Sequence, residues 1–204
     1  MAENQAARTA AKREIARADI MAMADYALVR KERRAALLPE KGRRRVSVGP
    51  YATFHFESYA TMWFQVHEML YIERGGEAQI ADELEAYNPL IPKGDELVAT
   101  LMFEIEDAGL RARELARLGG VETKVHFDLA GERVRAVPET DVERTKADGK
   151  TSSVHFLHFP FTPAQIARFR TPDVPVILGI SHPDYGHMAI LAPETRAALA
   201  ADFA

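Results

Sequence analysis

The sequence contains no cysteine. That one absence excludes disulfides, cysteine nucleophiles, thiolate zinc sites and cysteine-ligated iron–sulfur clusters. Any bound metal has to be held by His, Asp, Glu or other oxygen donors. Long apolar runs are also lacking, and the longest, near Val174–Ile180, is far too short to span a bilayer. The first residues, MAENQAARTAAKR, are Ala-rich and basic but lack the apolar core of a secretory signal, so a cytoplasmic setting is expected. There is no G-x-G-x-x-G and no P-loop, hence nothing that predicts a dinucleotide or triphosphate cradle. Gly179-Ile180-Ser181 opens like a nucleophile elbow, but His182 and Pro183 follow where a glycine is needed. His67-Glu68-Met69-Leu70-Tyr71 opens like a zinc-protease helix and then puts tyrosine in place of the second ligand. A net charge of -4 gives no overall field that favours nucleic acid.

What is present reads as an ordinary globular chain, 47% hydrophobic and 27% charged over 204 residues. A chain of this length buries roughly 70% of its unfolded surface and needs no covalent or metal staple. Residues 1–18 read as a flexible leader and 19–204 as a single domain. Asp19 caps a helix to about Leu38, which Pro39 and Gly42 end. Arg44–Val48 and Tyr51–Glu57 form a hairpin around Gly49–Pro50. Helices follow over Ser58–Arg74, Glu77–Tyr87 and Asp107–Leu118, with the strand Leu97–Glu106 before the last. Val121–Leu129 and Glu132–Val137 make a hairpin about Ala130–Gly131. Ser153–Phe161 and Val174–Ile180 are strands, a helix starts at Thr162–Pro163, and Pro193–Ala201 is the final helix. Glu139–Lys150, polar and turn-rich, is the expected mobile loop. Hairpins separated by helices of unequal length, without a βαβ rhythm, predict an α+β fold with a mainly antiparallel sheet.

Several polar residues stand where a site is expected. In the helix Ser58–Arg74, Thr61, Gln65 and Glu68 form a polar strip flanked by Phe64, Tyr71 and Ile72. Glu68 there is either an acid/base or metal ligand on a pocket wall, or half of a structural Arg–Glu pair. His55 and Glu57, two apart on a strand, face one side and offer an imidazole with a carboxylate. Glu68 and Glu104 complete a ligand set if the fold brings them close; chance pairing on a polar face is the alternative. His182, in Ser181-His182-Pro183-Asp184-Tyr185 at the end of a buried strand, is a candidate base, or part of a simple turn. His155 and His158, three apart, face opposite sides, and His126 and Asp128 are expected next to solvent. From Arg30 to Arg45 the chain is locally basic, and Arg43, Arg44 and Arg45 are the candidate contacts for an anionic cofactor or acidic partner, against a solvated helix face with salt bridges.

The ordered segments Arg44-Arg45-Val46-Ser47-Val48-Gly49-Pro50, Thr53-Phe54-His55-Phe56-Glu57 and Gln65-Val66-His67-Glu68-Met69-Leu70 carry a resemblance. Tyr87-Asn88-Pro89-Leu90-Ile91-Pro92, Ala99-Thr100-Leu101-Met102-Phe103-Glu104 and His182-Pro183-Asp184-Tyr185 continue it. Together they resemble a bacterial family of unknown function whose members are often encoded beside rubrerythrin and an iron–sulfur, flavin-type oxidoreductase. The resemblance covers about Asp19 to the end of the chain. It implies a setting in peroxide or redox metabolism and no catalytic residues.

Three functions are therefore expected to compete. The first is an accessory or binding protein that docks a redox partner or an anionic ligand through the region of Arg43, Arg44 and Arg45. The second is a metal-dependent enzyme or metal carrier holding divalent Fe, Mn or Zn on His55, Glu57, Glu68 and Glu104. The third is a metal-free hydrolase or isomerase with Glu68 and His182 as its acid/base pair.

Overall fold

The computed structural model describes residues 12–139 and 150–204, so the expected mobile loop falls almost wholly outside the described residues, as do the first eleven of the expected leader. The first helix, α1 (Met23–Arg43), does not stop at Pro39 but runs through it and through Gly42. Proline removes one helical donor, and here the carbonyl that loses it, on Ala35, lies on the exposed side of the helix. Packing of Leu37 just before the proline and of Arg44 after it overrides the local breakers. Strands β1 (Arg45–Val48) and β2 (Ala52–Phe56) form the expected hairpin. Gly49 closes it at φ +71°, where an added Cβ would stand 2.6 Å from the His187 ring.

Helices α2 (Tyr59–Glu73) and α3 (Glu77–Tyr87) precede β3 (Glu96–Phe103), and α4 (Ala108–Arg117) follows it, capped by Asp107. Then come β4 (Val125–Leu129), β5 (Glu132–Arg135), the short β6 (Val137–Pro138) and β7 (Val154–Pro160). Helix α5 (Pro163–Arg170), strands β8 (Val176–His182) and β9 (Tyr185–Ile190), and helix α6 (Pro193–Ala200) complete the described chain.

All strand pairs are antiparallel, but they make two sheets, β1-β2-β3-β7-β6 and β5-β4-β8-β9. The inward faces meet in an aromatic and aliphatic core, where Phe127 packs edge-on to Phe159 at 4.9 Å between centroids. Helix α2 lies on the other face of the first sheet, with Met62, Val66 and Leu70 packing beside Val98 and Phe156. The middle strand β3 is consequently buried on both faces, Thr100 included. His126, expected next to solvent, is buried instead, because Gly179 opposite it has no side chain to keep the ring out.

Candidate functional site

Period-two alternation in β2 sends Phe54 and Phe56 into the core between the sheets and turns His55 and Glu57 toward α2. No loop follows. Ser58 caps α2 directly, its hydroxyl accepting the Thr61 amide at 3.3 Å while its own amide donates to the Thr61 hydroxyl at 2.9 Å. This tight strand-to-helix junction sets Thr61 against Glu57. The Thr61 hydroxyl donates to one carboxylate oxygen at 2.6 Å, and the Thr100 hydroxyl, from β3, donates to the other at 2.7 Å. Glu57 is only 8% exposed. Burial pushes its carboxyl above the usual glutamate range, against the opposing pull of the two hydroxyls.

Between this face of the sheet and the helices lies a cavity of about 320 Å³. Its polar wall is His55, Glu57, Thr61, Gln65 and Thr100; Lys41 and Arg44 border it from the end of α1; Met62, Tyr87, Leu90, Met102 and Phe156 supply an apolar wall. His55 stands directly across from Thr100 in the β2–β3 register. Its Nε2 is buried without a hydrogen-bond partner, 3.9 Å from a Glu104 carboxylate oxygen. Burial lowers the His55 pKa, the nearby Glu104 charge opposing, so the ring is neutral at physiological pH. Glu104 accepts from Thr53 at 2.6 Å and Arg45 at 2.9 Å, and the Thr53 hydroxyl bond is the main cause of its lowered pKa.

The structure brings His55, Glu57 and Glu104 to one region, and two of them, His55 and Glu57, line the cavity. Glu68 is elsewhere. It accepts two hydrogen bonds from Arg30 and one from the Tyr26 hydroxyl, each 2.7 Å long, which is the structural Arg–Glu pair. The reason is position along α2: Thr61 and Gln65 overlie the sheet, while Glu68, about 10 Å further along the axis than Thr61, meets α1. Among the described residues no group of three or more His, Asp or Glu is placed to hold a metal ion, so the four-residue ligand set is not assembled.

His182 is likewise committed elsewhere, at the end of β8. Its Nε2 lies 3.3 Å from the Gly119 carbonyl and its Nδ1 accepts the Asp184 amide at 3.2 Å. Of the three arginines, Arg44 is buried and forks onto Asp202 at 2.7 and 2.8 Å, with its Nη1 also donating to the Glu57 carbonyl at 3.3 Å. Arg45 pairs with Glu104, and Arg43 alone is exposed without an ion-pair partner among the described residues. Thr100 and Lys41 were not singled out by sequence reasoning. Thr100 is visible only as an outward position on an alternating strand, and Lys41 only as one of many cations.

No helix of the described residues is long and apolar enough to cross a membrane. Residues 14–203 match a family described as "Protein of unknown function (DUF3501)". A crystal structure from Burkholderia pseudomallei K96243, titled as a novel protein of unknown function, is 38% identical, with a TM-score of 0.85 over 93% of this chain and 99% of that one. No curated protein matches. Neither description carries the redox setting that the sequence resemblance implies.

Proposed function

We propose, for a chain that belongs to the DUF3501 family and takes no activity from that membership, that the cavity beneath α2 binds a small organic anion, with His55 and Glu57 handling its protons. The charge balance of the cavity wall carries this reading. Arg44 pairs with Asp202 and Glu40, whereas Lys41 makes no close ion pair among the described residues, lies 5.8 Å over the Phe64 ring and acts on the Glu57 carboxyl through its charge alone. Burial raises the Glu57 carboxyl against the pull of Lys41, so it offsets that cation less than an exposed glutamate would. A carboxylate beside Lys41, with its apolar body against Met62, Leu90 and Met102, satisfies both halves of the lining. A volume of about 320 Å³ is at the small end for ligand sites, which fits a metabolite rather than a cofactor.

The two titratable groups support proton transfer. Burial moves Glu57 up and His55 down, toward one another, and places an acid and a base on one wall. The site is thus that of a binding protein equipped for acid–base chemistry on a small acid. In this reading the basic segment acts through Lys41 rather than through Arg43, Arg44 or Arg45.

A panel of small mono- and dicarboxylates, with matched amines as controls, titrated into the protein by calorimetry tests the proposal. At least one carboxylate should bind, the amines should not, and Lys41→Met should weaken binding about tenfold. Binding of amines in preference to acids, or of no carboxylate at all, would sink it. Glu57→Gln should keep binding while removing the pH dependence that the Glu57 proton gives it.

A further inference from the structure

The edges of the two sheets are not alike. An edge strand usually carries charge or proline, or is very short, because a bare row of N–H and C=O groups pairs with any strand that reaches it. Strand β5 carries Glu132, Arg133 and Arg135, β1 carries Arg45, and β6 is two residues long and ends in Pro138. Strand β9, Tyr185-Gly186-His187-Met188-Ala189-Ile190, has no Asp, Glu, Lys, Arg or Pro. Its hydrogen-bond phase follows from the Leu191 amide, which donates to the Val176 carbonyl at 2.9 Å. Alternation from that bond turns the main-chain groups of Tyr185, His187 and Ala189 toward β8 and those of Gly186, Met188 and Ile190 to the free edge. Among the described residues no strand pairs with β9 on that side, and no hydrogen bond reaches those groups. The β1–β2 turn packs on the inward side of β9 instead, where the Tyr185 hydroxyl donates to the Val48 carbonyl and Gly49 sits against the His187 ring. On the outward side Met188 is 70% and Ile190 71% exposed, with Ile177 beside Ile190.

We propose that β9 pairs antiparallel with β9 of a second copy, about a two-fold axis at Met188, joining the two four-stranded sheets into one. The register selects this occupant. With Met188 facing Met188, Gly186 of each copy faces Ile190 of the other, and these are all hydrogen-bonded pairs, so every free N–H and C=O of the three residues finds a partner. The exposed Ile190 side chain then lies beside a position that has none. The same register sets Pro183 against Pro193, and since proline has no N–H the ladder ends where the strands do. Charge agrees. Strand β9 meets itself with no like charges opposed, whereas an acidic or basic strand of another protein finds no counter-charge on it. One strand pair buries less than the roughly 1,200 Å² of a stable interface, so the dimer is weak and reversible. No residue of β9 lines the cavity, and the inference stands or falls independently of the ligand proposed there.

The test is sedimentation of the full chain over a concentration series that reaches the near-millimolar range, where a reversible monomer–dimer equilibrium should appear. Met188→Lys and Met188→Glu each oppose like charges at the axis and should each weaken association about tenfold or more, and an equal mixture of the two should associate again. Position 188 is exposed, so both variants should melt with the wild type. The chain has no cysteine, so Met188→Cys introduces a single thiol per copy. Across a hydrogen-bonded pair the Cα atoms stand about 5.5 Å apart, within disulfide reach. Mild oxidation should therefore cross-link Met188→Cys, whereas Ser181→Cys, on the neighbouring strand, should stay monomeric. A chain that is monomeric at every concentration overturns the proposal. So does a dimer that ignores both charged variants, or a pair of charged variants that fails to associate on mixing.

Discussion

Glu57 is the residue whose environment departs furthest from what its type prefers. Its folded pKa lies above the unfolded value because burial favours the neutral form. The folded state therefore holds the proton more tightly, and the stability this contributes is full below the ordinary glutamate range and lost as pH rises through the folded pKa. Glu57→Gln removes that loss. As pH rises from the ordinary glutamate range through the raised pKa, the denaturant midpoint of the variant should rise relative to wild type. Parallel curves would mean that Glu57 is ionised in place. Glu68 gives the contrasting case. Glu68→Ala leaves the buried Tyr26 hydroxyl and Arg30 without their acceptor, and should cost about 2–3 kcal/mol in urea unfolding with no effect on carboxylate binding. Loss of binding without loss of stability would move Glu68 back into the site. The two residues differ in legibility for one physical reason. His55 and Glu57 share a face by strand alternation alone, whereas the fate of Glu68 depended on which helix crosses α2, and spacing within one segment is silent on that.

At the scale of elements, helix boundaries were read well where capping chemistry is local. Ser58, Asp107 and Thr162 each cap the helix that follows, and Glu77–Tyr87 was bounded by its glycines and Asn-Pro. The misreadings are those in which tertiary contact wins. Pro39 and Gly42 are breakers that α1 passes through. Strand β9 is not legible in the sequence because Met188 and Ile190 are apolar yet exposed, so its alternation points away from the core. One element edge carries its own pH dependence. His158 on β7 donates to Glu96 of β3 at 3.0 Å and lies 3.5 Å from Glu139, just past β6. The Glu96 hydrogen bond is the main cause of its raised pKa. Protonated His158 therefore ties β6 and β3 to β7, with a stabilisation that is full below the ordinary histidine value and lost as pH rises through the raised one. His158→Gln should remove this decline in thermal midpoint above neutrality. An unchanged slope would contradict the clamp.

For the whole molecule, one ion pair joins the end of the first helix to the segment after the last. Arg44, between α1 and β1, holds Asp202 after α6 and also lines the cavity, so the sandwich, the outer helices and the site share this contact. Arg44→Met leaves Asp202 buried without its counter-charge and should cost about 3–5 kcal/mol in chemical denaturation, with Asp202→Leu on the same background restoring much of it. A loss under 1 kcal/mol would show that Asp202 reaches water instead. The α+β class and antiparallel pairing follow from segment order, whereas the division into two sheets does not, because nothing local records which hairpin pairs with which. The cavity was half visible in the same sense: its strand wall was legible, and its helical wall and lone lysine were not.

The proposed site for a small organic anion is enclosed by His55, Glu57 and Lys41. Its most direct test is a heteronuclear NMR titration of the labelled full chain with the carboxylate panel. The signals of His55, Thr61 and Thr100 should move together and saturate for at least one acid, while those of His182 and Arg43 stay fixed. Saturable shifts centred on His182 or on the arginines, with His55 and Thr100 unmoved, would contradict the account.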